Sequence, residues 1–347
     1  MGYGGVNAKV KAMKGRLLSA EDYYNLSSSA NVHEAGLKLR NFPEYTQIVD
    51  SLIASREDNR HMYEQRLISV LDNNYFKIHG FLVDGNVKKY LDAWFLKREI
   101  QIIKYMLGNF YDSRNRERNI SYAQGFRFFD IDMKALGTAE NIEEFLDILG
   151  ENKVFRIVKE IYQNNPSLFE MEIALDFNYY RNLWKAKGKY LKGDDLKAAA
   201  IIDGTEADMQ NILWVYRLKS YYSMRDESLY KYVMPLHYRI KPENITRLVE
   251  ANKDSMKDVL LETPYAYAFK GAENVEESYY SATNRAYRQA VSRYPDSISV
   301  ILDYLFMKNI EIRNIISVFE GVRYSMEPDE IMKRISIQSK GQVRVNA

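Results

Sequence analysis

Four histidines, His33, His61, His79 and His237, are the side chains here best suited to hold a metal or move a proton. None has a second histidine or a carboxylate at a zinc spacing. His33-Glu34 opens like H-E-x-x-H, but continues Ala35-Gly36-Leu37-Lys38 without a second histidine. They read as surface or ordinary hydrogen-bonding histidines. No cysteine occurs, which excludes disulfides, thiolate metal sites and a cysteine nucleophile. Gly193-Asp194-Asp195 is a single acidic pair with no second acidic motif, and it fits a helix start, where carboxylates favour the helix dipole. The glycines of Met1–Gly5 lack G-x-G-x-x-G spacing, and Lys185–Asp195 lacks the order of a phosphate loop. The expected catalytic, cofactor-binding and metal-binding sets are therefore each none.

Two basic stretches remain. Residues 216–232 interleave Arg217, Lys219, Arg225 and Lys231 with tyrosines, the pattern of a stacking platform for single-stranded nucleic acid. Asp226 and Glu227 interrupt it, and half-buried helix surfaces or protein interfaces explain the tyrosines better. The balance of 49 Lys plus Arg against 47 Asp plus Glu, a net charge of +2, argues against a nucleic-acid partner. Lys9, Lys11, Lys14 and Arg16 give the N-terminal helix a basic face, ordinarily a solvated one.

The elements that carry these residues are helical. Apolar residues recur at helical spacing in Phe95–Leu107, in Ile212–Leu218 and in Ile310–Phe319. Alternating strand patterns are scarce, and "VFRIV" at 154–158 is ambiguous between helix-like neighbours. Helix starts are predicted at Ser19 with Asp22, at Thr205 with Asp208, near Thr138 and at Pro242. Stops are predicted at Gly80, Gly85, Gly108, Gly150, Gly188 and Gly193. The polar tail from about Gln338 is expected to be disordered. No apolar run approaches the ~20 residues that span a bilayer, and no signal peptide is visible at the N-terminus. A cytoplasmic location is expected, with any membrane contact made through a protein partner.

Three stretches repeat. Ile102, Leu213 and Ile315 coincide on shifting the chain, as do Ile103, Trp214 and Ile316, then Tyr105, Tyr216 and Val318, then Tyr111, Tyr222 and Tyr324. Arg114 and Arg225 match in the first two copies. The period is too long for helix-pair solenoids, whose repeats run ~34–47 residues. It predicts an all-α protein of three similar helical domains, over residues 1–116, 117–227 and 228–347, the last with a short flexible tail.

The tract Tyr3–Leu26, with Ala8-Lys9-Val10-Lys11-Ala12-Met13-Lys14 and Arg16-Leu17-Leu18, resembles the C subunit of the archaeal and bacterial A/V-type rotary ATPases, related to the d subunit of the eukaryotic vacuolar enzyme. Lys308–Ile335 is similarly typical, through Glu311, Arg313, Asn314, Glu320, Gly321, Glu330 and Ile331. The resemblance implies a funnel of three all-helical domains around a pseudo-three-fold axis, with a central cavity. It implies a non-catalytic adaptor without a cofactor, a monomer within a hetero-oligomeric complex. Its partners would be the rotor shaft subunits of D and F type and the membrane proteolipid ring. Motif residues such as Asn314 and Glu99 are expected to satisfy helix ends or contacts between repeats. A general helical scaffold without a rotary role is the other reading of the same features.

Overall fold

The computed structural model describes residues 3–55, 60–111, 119, 131–222, 224–252, 255–272, 274–339 and 342–345. Arg114 and Ser223 lie outside them. Among the described residues the fold is all-helical but for one hairpin, and the chain divides into two compact units, residues 84–191 and residues 1–83 with 192–347.

The first of these units contains α6 (Gly85–Tyr111), α7 (Met133–Thr138), α8 (Ile142–Glu151), α9 (Arg156–Tyr162) and α10 (Leu168–Tyr190). The long helices α6 and α10 pack along each other, while α9 bridges α8 and α10. Ile102, Ile103, Met106 and Leu107 of α6 are buried, as are Met171, Leu175, Tyr179 and Leu183 of α10. Asn141 begins α8 by accepting from the Glu144 amide, so the start lies three residues after Thr138. The ambiguous stretch 154–158 runs into the start of α9.

The larger unit is built on α11 (Gly193–Tyr222), α16 (Val275–Arg293) and α17 (Ser299–Arg323). Between α11 and α16 lie α12 (Asp226–Leu229), a short 3-10 turn (Tyr230–Tyr232), α13 (Pro242–Glu250), α14 (Met256–Leu261) and α15 (Ala266–Phe269). After α17 come α18 (Pro328–Arg334), β1 (Ser336–Ser339) and β2 (Gln342–Val345). The remaining helices belong to the N-terminal segment: α1 (Gly4–Lys14), α2 (Ala20–Ser27), α3 (Val32–Leu39), α4 (Thr46–Ser55) and α5 (Arg60–Phe81). Helix α11 packs on α16 and α13. Helix α17 packs on α5, α2, α1, α3 and α18, so the N-terminal segment folds around a helix near the other end of the chain.

The repeated stretches are the C-terminal halves of α6, α11 and α17, the three longest described helices at 27, 30 and 25 residues. Ile102, Leu213 and Ile315 are all buried, as are Ile103 and Trp214, whereas Ile316 is half-buried. Tyr111 closes α6, Tyr222 closes α11 and Tyr324 caps α17.

Two predicted starts match the structure. Ser19 and Asp22 form a full capping box, and Pro242 opens α13. The start predicted at Thr205 is wrong: Thr205 and Asp208 lie inside α11. Every residue from Ile201 to Met209 is buried, so this turn of α11 is surrounded on all sides. In such a helix the letters of a capping box serve bonds to neighbouring elements instead. Gly85 and Gly193 open helices rather than ending them; Gly193 does so at φ 55°, a conformation glycine adopts freely. Where disorder was expected from Gln338, Ser336–Ser339 pairs antiparallel with Gln342–Val345. Asn314 holds the first residue of that hairpin by both backbone groups.

Candidate functional site

Two buried carboxylates organise the larger unit. The first is Asp208, near the middle of α11 and fully buried. Its Oδ1 accepts from the Tyr238 amide at 2.9 Å, and its Oδ2 accepts from the amides of Arg239 at 2.7 Å and Ile240 at 3.0 Å. The Tyr265 hydroxyl donates to the same Oδ2 at 2.6 Å. Burial pushes the Asp208 carboxyl above the ordinary aspartate value of 3.8, while the tyrosine and the three amides pull it back. One turn on, Asn211 Nδ2 donates to the Met234 carbonyl at 3.1 Å, and its Oδ1 accepts from the Met234 amide at 2.8 Å. Together the two side chains satisfy the backbone of an irregular segment that no helix or sheet serves.

The second is Glu311 on α17. It accepts from the Leu18 amide at 2.6 Å and from the Tyr45 hydroxyl at 2.5 Å. Lys308, with no exposed side-chain surface, pairs with Glu311 and with Glu44, the latter at 2.7 Å. Three residues after Glu311, Asn314 pairs with the carbonyl and amide of Ser336 at 2.8 and 3.0 Å. The chemistry resembles that of α11: a carboxylate takes backbone N–H, three groups at Asp208 and one at Glu311, and a tyrosine hydroxyl, and the asparagine three positions later grips one residue by its N–H and C=O.

These bonds account for most of the C-terminal motif. Glu311 and Asn314 tie the N-terminal segment and the hairpin to α17. Gly321 faces Ile331, whose Cγ1 would lie 2.5 Å from any added Cβ. The Arg313 guanidinium stands 4.5 Å from the Tyr280 ring centroid, and Glu330 pairs with Arg334. Glu99 is buried in α6. The N-terminal basic face is partly committed too. Lys14 pairs with Asp303 at 2.6 Å and Lys9 lies 3.2 Å over the Phe81 ring, leaving Lys11 and Arg16 exposed.

Two cations of the interleaved basic run are likewise used internally. Arg217 pairs with Glu276 at 2.8 Å, and Lys219 reaches Asp226 and the carbonyls that end α13, at Val249 and Ala251. Asp194 and Asp195 sit in the first turn of α11, and Asp195 also accepts from the Ile298 amide at 2.8 Å. His33 and His237 are exposed and apart in sequence, while His79 stands beside Tyr75. Among the described residues no three His, Cys, Asp or Glu side chains gather closely enough to hold a metal ion. No helix of the described residues is long and apolar enough to cross a membrane.

One surface was not singled out from sequence. The loop held by Asp208 presents His237, Tyr238 and Arg239 outward, all exposed. Tyr238 packs on α11 at Gly204, where an added Cβ would collide with its ring. Beside it, Arg285 of α16 stacks on Tyr267 of α15, its Cζ 4.1 Å from the ring centroid. Arg239 stands 5.9 Å from the centroid of the Tyr238 ring. Asp208 Oδ2 accepts from both the Arg239 amide and the Tyr265 hydroxyl, which brings the segment carrying Tyr267 beside the loop carrying Arg239. The sequence signal was a carboxylate three positions before an asparagine inside an otherwise buried helix, which marks a turn that must hold a loop.

The matches to known proteins span most of the chain. The C subunit of the A-type ATP synthase of Methanosarcina acetivorans is 26% identical over 322 residues, covering 90% of this chain and 87% of that protein. The corresponding subunits of Methanococcoides burtonii and Pyrococcus abyssi are 25% and 23% identical, over 96% and 95% of this chain and 94% and 89% of theirs. The ATP synthase (C/AC39) subunit model matches residues 6–334, a span that takes in Asp208, Glu311 and nearly all of both sequence motifs. Nearly the whole chain is matched, and it belongs to the ATP synthase (C/AC39) subunit family.

Proposed function

We propose that this chain is the non-catalytic central-stalk adaptor of an A/V-type rotary ATPase, at the cytoplasmic face of the membrane. It seats the rotor shaft, made of D- and F-type subunits, and docks it on the proteolipid ring, so that ATP hydrolysis or synthesis is coupled to H+ or Na+ transport. The observation that carries this reading is the family match over residues 6–334, supported by relatives that are themselves C subunits of A-type ATP synthases. A funnel of three similar domains about a pseudo-three-fold axis is part of the proposal. Its support is the helix pairing within each unit: α6 with α10, α11 with α16, and α17 with α5. The duplicated carboxylate–asparagine grip on α11 and α17 supports it further. The three domains of the proposal are residues 1–116, 117–227 and 228–347.

An adaptor that transmits torque must resist twisting. Dense helix packing and side chains that clasp segments far apart in sequence meet that need. The test is a paired measurement on native membranes. Removing the chain should leave ATP hydrolysis by the detached catalytic head intact and abolish ATP-driven ion uptake. Adding it back should restore uptake saturably. Undiminished ion uptake without the chain refutes the proposal, as does loss of hydrolysis by the detached head.

A further inference from the structure

We propose that the surface formed by Tyr238, Arg239, Tyr267 and Arg285 docks a carboxylate-rich segment of a partner protein. The proposal deepens the adaptor reading by giving one of its contacts a chemistry. Three observations converge on it.

The first is charge without a counter-charge. Among the described residues neither Arg239 nor Arg285 has a carboxylate at ion-pair distance, and both are exposed. Elsewhere on the same unit Arg217 and Arg247 have found acids, at 2.8 and 2.6 Å. A guanidinium stacked on a phenol ring keeps its N–H edges free, and those edges match a carboxylate in a bidentate fork.

The second is the cost of positioning the loop. A fully buried aspartate takes three successive backbone amides, of Tyr238, Arg239 and Ile240. Asn211 holds the same loop at Met234. The absent side chain at Gly204 lets the Tyr238 ring lie on α11. A burial penalty on Asp208 is tolerated where its carboxylate holds a surface loop at three successive amides, and a surface held in place loses little entropy on binding.

The third is composition. Tyrosine and arginine in a half-desolvated cluster are the residue types that dominate binding energy at protein interfaces. Membrane surfaces are recognised by scattered lysines and inserting apolar side chains, and this patch has neither emphasis. Nucleic acid would call for a larger basic field than a net charge of +2 supplies.

The test has two arms, both on the full chain. In the first, an oligo-glutamate peptide is titrated in low salt. Wild type should bind it saturably, and Arg239→Gln/Arg285→Gln should weaken binding at least tenfold with an unchanged helical spectrum and melting temperature. In the second, stripped native membranes are reloaded with chain carrying a photo-crosslinking residue at Tyr238, and Arg239→Glu/Arg285→Glu is compared with wild type for reloading. A cross-link to a peptide rich in Asp and Glu, with at least tenfold weaker reloading of the charge-reversed chain, is expected. A cross-link only to lipid, to nucleic acid or to a peptide without carboxylates overturns the proposal. So does a variant within threefold of wild type in the peptide arm. Failure of wild type itself to reload counts against the adaptor reading, and the peptide arm then decides this one alone.

Discussion

The Tyr45 hydroxyl donates to Glu311 at 2.5 Å although 266 residues separate the two. Around that bond the N-terminal segment is fastened to α17 by Leu18, Glu44 and Lys14 as well. Glu311→Ala would leave the Tyr45 hydroxyl and the Leu18 amide without an acceptor, and fully buried Lys308 with Glu44 alone. Breaking a buried pair by removing one partner costs ~3–5 kcal/mol. The expected outcome is a loss of that size in urea unfolding, with faster proteolysis within residues 1–83. A loss below about 1 kcal/mol would show the centre to be dispensable.

Gly321 tests packing rather than charge. An added methyl would meet Ile331 Cγ1 at 2.5 Å. Alanine gains up to about 1 kcal/mol of helix propensity over glycine, but overpacking costs ~1–3 kcal/mol. Gly321→Ala should therefore be neutral to destabilising. Ile331→Ala in the same chain should relieve the clash, giving a favourable coupling of about 1 kcal/mol or more in the four-variant cycle. Additive effects would mean that α18 shifts to accommodate the methyl.

Trp214 is 5% exposed in α11. Trp214→Ala should cost ~3–5 kcal/mol by calorimetry or denaturant titration. A change under about 1 kcal/mol would place the indole at a site that collapses freely.

Asp208 supplies a pH signature. Its folded-state carboxyl sits above the ordinary 3.8 because burial disfavours the charge. Between those two values the folded state binds more protons than the unfolded one, so this group's contribution falls as pH rises through the window. It is fully present below 3.8 and lost above the raised folded value. Stability measured against pH for wild type and Asp208→Asn should show the variant gaining on wild type as pH rises from about 3.8 through that window. Parallel curves would mean that the three amides and Tyr265 fully offset burial.

Much of this was legible in the residues. The periodic apolar stripes of α6, α11 and α17 set their class, and the buried Ile102, Leu213 and Ile315 lie where spacing put them. What escaped was polar. The shift that superposes Leu213 on Ile315 places Asp208 against Ile310, one residue from Glu311, so the two carboxylates did not declare themselves as equivalents. A buried aspartate that serves a distant loop is spelled like an aspartate that caps its own helix, which is how Thr205–Asp208 became a false start. The packing of α5 against α17 had no local signature, because its partners stand at opposite ends of the sequence. The Tyr238–Arg285 surface joins three separate segments and exists only after folding.

The fastening of the N-terminal segment to α17 also sets an order of events during synthesis. Tyr45 joins the growing chain 266 residues before Glu311, a lead of roughly 13–53 s at ~5–20 residues per second. Through that interval α1 to α5 have no α17 to cover them, and Leu18, Tyr45 and Glu44 have no counterpart. A stretch made later thus completes one made much earlier. A nascent chain that stalls before α17 would carry an uncovered apolar face, a ready substrate for chaperones and proteases.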